Sequence, residues 1–255
     1  MTMKNLFSVS GKVALVTGGT SGIGLMIAQG LVENGAITYI VGRNGAACKE
    51  VAASLSAHGT CHGLQGDIST NKGIQALLHA LGEHESQLDI LVNNAGAMSE
   101  APIDSFSESD WDGVVDLNLK SAFFMVQAAL PLLRKAAAKG PHASVINTGS
   151  IGGRRVGPKE NYAYAAAKAG LHHMTGSLAK RLGPENITVN AIAPGIFPSR
   201  MTVLSEEMLK MVIGMIPVRR VGEPEDVAGS VIYLASRAGG FTNGAVLPMD
   251  GGSSL

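Results

Sequence analysis

Three side chains in the middle of the chain have the types and spacing needed to move a proton. Tyr164 and Lys168 stand four positions apart, so in a helix they share one face. A cationic amine beside a phenol favours the phenolate and lowers the phenol pKa from its usual value of about 10. Ser150 follows the apolar stretch 145–148 and can donate a hydrogen bond to a carbonyl oxygen. The trio predicts general acid–base chemistry, although a Tyr–Lys pair at this spacing also arises by chance.

A glycine-rich turn near the start of the chain is suited to binding a phosphate. Gly18, Gly22 and Gly24 follow the apolar run 13–16 and precede an apolar-periodic stretch that begins at Ile23. A strand, a glycine turn and a helix in this order direct backbone N–H groups and a positive helix end at an anion. The pattern predicts a dinucleotide-binding βα turn. Its spacing differs from the commoner G-x-G-x-x-G, and taken alone it also fits ordinary turn chemistry.

Short apolar runs alternate with amphipathic stretches along the whole chain. The pattern predicts strands at 13–17, 37–41, 61–65, 90–93, 145–148, 188–192 and 245–249, and helices at 23–34, 45–57, 70–84, 109–138, 162–182 and 225–236. Most of these strands are apolar throughout, which indicates burial on both faces. We therefore predict an α/β Rossmann fold: a doubly wound parallel sheet of about seven strands with helices on both faces. A single domain spans residues 1–255, and the Met-rich connection at about 194–223 is predicted to be a substrate lid.

Composition excludes several classes of protein. Twenty basic residues balance twenty acidic ones, which predicts neither a nucleic-acid nor a membrane partner. No apolar run reaches the length of a membrane span, and the two cysteines lack CxxC spacing, which favours the reducing cytoplasm. His58, Cys61 and His62 lie close together in the sequence, but further ligands at suitable spacing are missing. We predict no metal site.

Several further motifs stand in the same order along the chain. Asn93-Asn94-Ala95-Gly96 follows the fourth predicted strand, Asn118 lies within the next helix, and Pro194-Gly195 follows the sixth strand. With the glycine turn and the Ser–Tyr–Lys trio, they resemble the compact form of the short-chain dehydrogenase/reductase family over essentially the whole chain. The gap between serine and tyrosine is one residue longer than the family pattern, which affects the loop at 153–161.

The resemblance implies a catalytic tetrad of Asn118, Ser150, Tyr164 and Lys168. Tyr164 would protonate the developing alkoxide, and Ser150 would orient and polarise the carbonyl. Lys168 would hold the nicotinamide ribose and lower the tyrosine pKa, while Asn118 would hold a water that connects Lys168 to solvent. Tyr162 is a rival phenol, but Ala166 occupies its i+4 position, so it is expected to pack.

The resemblance also implies a set of cofactor-contacting residues: Gly18, Thr20, Ser21, Gly22, Ile23, Gly24, Arg43, Asn44, Asp67, Ile68, Asn94, Ala95, Gly96, Tyr164, Lys168, Pro194, Gly195, Phe197 and Ser199. Asp67 would contact the adenine, although it could equally cap a helix. At the end of the second strand, Gly42 stands where an NAD-preferring site has a carboxylate. Arg43 follows and can grip a 2′-phosphate, so we predict NADP(H).

The residues of the predicted lid are the basis for predicting the substrate. Its methionines and leucines form an adaptable apolar surface, which also fits ordinary helix core. The stretch through Arg200-Met201-Thr202 is most similar to 3-oxoacyl thioester reductases of the family, including the kind associated with rhamnolipid-type lipids. We therefore expect an NADPH-dependent ketone reductase that acts on a 3-oxoacyl thioester. The alternatives are an oxidative NAD(P)-dependent alcohol dehydrogenase, a reductase of other apolar ketones, and a catalytically silent dinucleotide-binding regulator.

Two predictions concern partners. The basic side chains of Arg134, Lys135, Lys180 and Arg181 could receive an acidic acyl carrier protein, or could form a solvated helix face. By analogy with the family, we expect a homotetramer.

Overall fold

The computed structural model describes residues 3–198 and 205–255. Its strands form one parallel seven-stranded sheet in the order β3-β2-β1-β4-β5-β6-β7. Their bounds are β1 Val13–Thr17, β2 Ile37–Gly42, β3 Cys61–Gln65, β4 Ile90–Asn93, β5 Ala143–Thr148, β6 Ile187–Pro194 and β7 Val246–Met249. The strand order reverses at β1, next to β4, and ligands of open α/β sheets bind beyond the carboxyl ends of strands at such a point.

Alternate residues of each strand enter two separate cores. In β1, Leu15 packs into the core on one face, whereas Ala14 and Val16 pack into the core on the other. Because successive side chains of a strand point to opposite faces, a strand buried on both sides must be apolar throughout. All five residues of β1 are buried, which explains its continuous apolar run.

Helices cover both faces of the sheet, which confirms the predicted doubly wound fold. On one face, α3 (Asn71–His84), α5 (Ser121–Lys139) and α6 (Tyr162–Leu182) contribute to the core. On the other, α1 (Gly22–Glu33), α2 (Gly45–Leu55) and α8 (Pro224–Ala235) do so. Every predicted strand is present within two residues at each end.

Two predicted segments differ from the structure. The helix predicted at 109–138 is divided into α4 (Glu108–Val115) and α5 by a π-turn at Asp116–Lys120, where the N–H of Ser121 donates to the carbonyl of Asp116. The predicted connection contains α7 (Glu206–Met215). Within the two described ranges, no helix is long and apolar enough to cross a membrane, and no three metal-ligating side chains come together.

Candidate active site

The carboxyl edge of the sheet brings Ser150 and Tyr164 together. Ser150 follows β5 in extended conformation, and Tyr164 lies in the first turn of α6. The Ser150 hydroxyl oxygen accepts from the N–H of Gly152 at 3.0 Å, and a Cβ at Gly152 would lie 3.3 Å from that oxygen and 3.7 Å from Cε1 of the Tyr164 ring. Gly153 completes the turn, and a Cβ there would lie 2.6 Å from the backbone carbon of Lys168. Glycine at 153 therefore allows the serine turn to lie directly against α6.

Lys168 lies beneath this pair and is buried. Its Nζ donates to the Thr148 carbonyl at 2.7 Å and lies 5.5 Å from the centroid of the Tyr164 ring. Burial lowers the pKa of Lys168 to about 8. Burial also raises the pKa of Tyr164, and the hydrogen bond from Ser150 only partly opposes this rise. Desolvation of the phenol is thus the larger of the two effects on the pKa of Tyr164.

The π-turn between α4 and α5 directs Asn118 at the same edge. Its Nδ2 donates to the carbonyls of Ala97 and Val114 at 2.7 and 2.8 Å. Its buried Oδ1 has no hydrogen-bond partner among residues 3–198 and 205–255. A buried amide oxygen without a partner is costly, which is the expected arrangement for an oxygen that binds water or ligand.

The glycine turn between β1 and α1 fits a pyrophosphate. Gly18 and Gly22 adopt positive φ values of 66° and 54°, and a Cβ at Gly24 would clash with the Gly18 carbonyl and the Asn94 amide. Ser21 is the N-cap of α1, but its side chain makes no capping hydrogen bond to that helix. The N-terminal N–H groups of α1 are thus left for an anion, with Thr20, Ser21 and Ile23 alongside.

Asn94 connects the turn after β4 to the glycine turn. Its Nδ2 donates to the Thr17 carbonyl at 3.0 Å, and its backbone N–H donates to Thr17 Oγ1 at 2.9 Å. Ala95 N–H donates to the same hydroxyl at 3.1 Å, with Gly96 next in the chain. Thr17 was not predicted as a site residue; its signal in the sequence is a polar residue at the end of an apolar strand.

The adenine end of the candidate cofactor site contains Arg43 and Asp67. Arg43 is exposed at the end of β2, and its charge helps to lower the pKa of Asp67, after the larger effect of hydrogen bonds from Ser69. Thr70, not Asp67, caps α3, so the capping alternative for Asp67 is wrong. The Asn44 side chain caps α2, accepting from Ala47 N–H at 3.1 Å. Ile68 is 7% exposed and packs into the core.

The end of β6 carries the remaining predicted contacts. Gly195 follows Pro194 and donates its N–H to the Met249 carbonyl at 2.9 Å; a Cβ at Gly195 would lie 2.8 Å from the Cα of Asp250. Phe197 is buried, and its ring fills the space that a side chain at Gly222 would take. Ser199 and the stretch Arg200-Met201-Thr202 lie outside the described residues.

The connection predicted to be a lid contains both exposed and buried apolar side chains. Met208, Met211 and Met215 on α7 are exposed, whereas Ile216, directly after the helix, is 4% exposed. The exposed methionines exclude the alternative in which the whole segment is ordinary core.

For Tyr162 and for half of the basic patch, the structure favours the structural alternative over the functional one. Tyr162 is partly exposed, donates to Glu160 and packs edge-on against Phe106, as expected for a packing residue. Arg134 and Arg181 both bind Glu185 at 2.6 Å, and these bonds lower the pKa of that carboxyl to about 2. Half of the predicted carrier patch is therefore already paired with an acid.

A doubly wound sheet with a phosphate-fitting turn and a Ser–Tyr–Lys cluster at one edge defines the class of dinucleotide-dependent oxidoreductases. A family model described as enoyl-(acyl carrier protein) reductase matches residues 18–254. The chain belongs to the short-chain dehydrogenase/reductase family.

Individual relatives agree along their full length. The chain is 46% identical to the rhamnolipids biosynthesis 3-oxoacyl-[acyl-carrier-protein] reductase of Pseudomonas aeruginosa, covering 99% of this chain and 100% of that protein. It is 37% identical to the 3-oxoacyl-[acyl-carrier-protein] reductase FabG of the same organism, covering 96% and 98%. A solved Pseudomonas aeruginosa RhlG/NADP active-site complex superimposes with a TM-score of 0.95 at 46% identity, covering 99% and 100%.

Proposed function

We propose that this protein is an NADPH-dependent ketone reductase whose substrate is a 3-oxoacyl thioester. The observation that carries the proposal is the placement of the Ser150 hydroxyl beside the Tyr164 ring, on either side of Gly152, with the Lys168 ammonium buried behind them. A protein that only binds a dinucleotide has no need of two hydroxyls held together at this edge. The rhamnolipid-associated and FabG relatives support the thioester by their names.

The chain's own residues account for the proton. Bound NADPH supplies the hydride. The Ser150 and Tyr164 hydroxyls both donate to the substrate carbonyl oxygen, which polarises the carbonyl and stabilises the negative charge that develops there. Tyr164 then gives its proton to that oxygen. The phenol of Tyr164, whose pKa burial raises, is protonated at neutral pH and therefore carries the proton that reduction requires.

Lys168 and Asn118 complete the proposed tetrad. An ammonium near the phenol stabilises the phenolate left after proton transfer. The unpartnered Oδ1 of Asn118 supports a water there that returns a proton from solvent through Lys168. Both groups border Gly96, where a Cβ would lie 2.5 Å from Oδ1 and 3.8 Å from Nζ.

Residues that fit the cofactor support NADPH over NADH. The glycine turn and the uncapped start of α1 suit the pyrophosphate. Gly42 has no carboxylate to repel a 2′-phosphate, a repulsion of about 1–4 kcal/mol at 4 Å for effective dielectrics between 80 and 20. The exposed guanidinium of Arg43 lies next to it. The NADP complex of the RhlG relative points to the same cofactor.

We propose that 194–223 is the substrate lid of a single domain. The exposed Met208, Met211 and Met215 offer an adaptable apolar surface to an acyl chain. Lys135 and Lys180 could still contact an acidic carrier protein, although Arg134 and Arg181 are already bound to Glu185. Coenzyme A and carrier-protein thioesters are therefore both substrates to compare.

We also propose a homotetramer that works in the cytoplasm. An apolar surface on α5, α6 and the π-turn before α5 includes Phe123, which is 39% exposed and packs edge-on against Phe124, together with Leu119 and Met174. Sedimentation velocity of Phe123→Asp should show smaller particles than the wild-type chain. Cys48 and Cys61 are free thiols, as a reducing compartment allows.

The decisive experiment measures steady-state rates with NADPH on 3-oxoacyl thioesters of increasing chain length, on small free ketones and on enoyl thioesters. The proposal expects the highest kcat/KM on 3-oxoacyl thioesters. Preferred turnover of free ketones would support the other ketone reductase, and faster oxidation of alcohols with NADP⁺ or NAD⁺ would support the dehydrogenase. Cofactor binding without turnover of any of these would support the silent regulator.

A further inference from the structure

A histidine that no motif singled out lies directly behind the serine turn. His172 occupies α6 one helical turn after Lys168, and it is half-buried. Its Nε2 accepts a hydrogen bond from the backbone N–H of Ser150 at 3.4 Å. The backbone of Gly153, at the other end of the turn, also acts on the ring and raises the pKa of the imidazole. One imidazole thus lies against both ends of the turn that presents the Ser150 hydroxyl.

The backbone is shaped around this ring. A Cβ at Gly149 would clash with His172 Nε2, so the imidazole fills the space that a side chain at 149 would need. The N–H of Gly149 donates to the Ile192 carbonyl at 2.7 Å, which joins the same segment to β6. The serine turn is therefore fixed between β6 on one side and the His172 ring on the other.

We propose that His172 is a positioning residue for Ser150, holding the serine turn in register with Tyr164 and requiring a neutral imidazole to do so. The inference rests on the proposed ketone reduction. His172 itself touches neither substrate nor cofactor in this assignment. Its effect passes through the Ser150 backbone to the hydroxyl that polarises the carbonyl, where small displacements of a catalytic group carry large rate costs.

Charge explains why the neutral form is required. An acceptor at Nε2 and a donor at the other nitrogen define one neutral tautomer, and protonation would turn a second N–H toward the N–H of Ser150. The charged groups acting on the ring are Lys168 on the same helix and Arg154 in the segment after Ser150. Burial and both cations lower the pKa of His172 below its usual value of 6.5. The turn is therefore intact at neutral pH and should open only in acid.

Two substitutions distinguish the hydrogen-bonding role of His172 from the space that its side chain fills. His172→Leu keeps a side chain of similar size but removes the acceptor, and we expect kcat to fall about tenfold with KM nearly unchanged, since one buried N–H loses its partner. His172→Gln keeps a carbonyl acceptor that does not titrate. It should restore most of kcat at neutral pH and abolish the fall of kcat in acid that the wild type shows. His79→Leu, at a histidine whose side chain is 82% exposed on α3, is the matched control and should behave as wild type.

Three readouts make the outcome decisive. NADPH deuterated at the transferred hydrogen should give a larger isotope effect on kcat in His172→Leu, because the hydride step is the one slowed. Thermal melting shows whether either variant has unfolded. An ¹⁵N spectrum of histidine-labelled wild type, with His172→Gln to assign the signal, should show Nε2 as an unprotonated acceptor at pH 7.

The positioning role would be overturned if wild type and His172→Leu had equal kcat. It would also be overturned if kcat fell at the same acidic pH in wild type and His172→Gln. A protonated Nε2 at pH 7 would overturn it without any activity measurement. If the wild type reduces no ketone, the proposed function fails instead, and the spectrum still decides whether His172 accepts from Ser150.

Discussion

Asn118 and Gly96 are so close that the amide oxygen of the asparagine takes the place of a side chain at 96. A Cβ on Gly96 would lie 2.5 Å from Asn118 Oδ1. Rotating the asparagine side chain away would break two hydrogen bonds, because its Nδ2 donates to the carbonyls of Ala97 and Val114. The absence of a side chain at 96 is therefore what allows the unpartnered oxygen to face Lys168.

We expect Gly96→Ala to reduce kcat by at least tenfold, because the added methyl displaces Asn118 Oδ1 and enters the space beside Lys168. Steady-state kinetics with a saturating ketone would measure this. Gly113→Ala is the matched control, since a Cβ there meets nothing within 4 Å. That helical glycine should tolerate alanine with unchanged kcat and a gain of up to about 1 kcal/mol in the free energy of unfolding. Equal kcat in both variants would contradict the packing argument.

Tyr164→Phe removes the proposed proton donor while keeping the ring. We expect kcat to fall by about 10²–10⁴, the usual contribution of a general acid, with NADPH affinity retained. Tyr162→Phe is the control, because that phenol donates to the exposed Glu160 at 2.7 Å and should be dispensable. Stopped-flow kinetics and NADPH fluorescence would measure the two quantities. Near-full activity in Tyr164→Phe would remove Tyr164 from the mechanism.

The sheet and the Ser–Tyr–Lys cluster could be predicted from the sequence because each depends on local patterns. Continuous apolar runs identify buried strands, and an i, i+4 spacing on α6 places Tyr164 and Lys168 on one face. The π-turn at Asp116–Lys120 could not be predicted. Helical spacing of apolar residues carries no information about the hydrogen bond from the Asn118 side chain to the Ala97 carbonyl, which lies outside the helix.

His172 was missed for a related reason. Its partners Ser150 and Gly153 are distant in the chain, and nothing in its own neighbourhood marks it. Burial of the Tyr164 phenol, which raises its pKa, could not be predicted either, because a sequence shows the neighbouring lysine but not the packing around the ring.

Arg43→Ala tests the cofactor prediction. A guanidinium that binds a 2′-phosphate makes charge-assisted hydrogen bonds worth about 1.5–3 kcal/mol, so NADPH affinity should fall roughly 10- to 100-fold. NADH lacks that phosphate and should be bound almost as before. Lys139→Ala removes an exposed cation at the end of α5 and controls for net charge. Equal losses for NADPH and NADH, measured by fluorescence titration, would remove the phosphate argument.

Lys168→Met should make the protein more stable at pH 7 while abolishing its activity. The folded pKa of Lys168 is about 8, below its ordinary 10.5, so burial penalises the charged form and the folded chain holds the proton less tightly. That penalty is complete below pH 8 and is relieved as pH rises toward 10.5. We expect a gain on the order of 2 kcal/mol at pH 7, because the lost hydrogen bond to the Thr148 carbonyl offsets part of the relief.

The stability gap between Lys168→Met and wild type should therefore narrow as pH rises from 8 to 10. Denaturant unfolding at several pH values would measure it, with Lys139→Met as an exposed control that shows no such trend. A variant less stable than wild type by the same amount at every pH would mean that the buried ammonium is fully compensated by its neighbours. In that case Lys168 contributes to the fold as well as to the chemistry, and its pKa in the folded chain is not lowered.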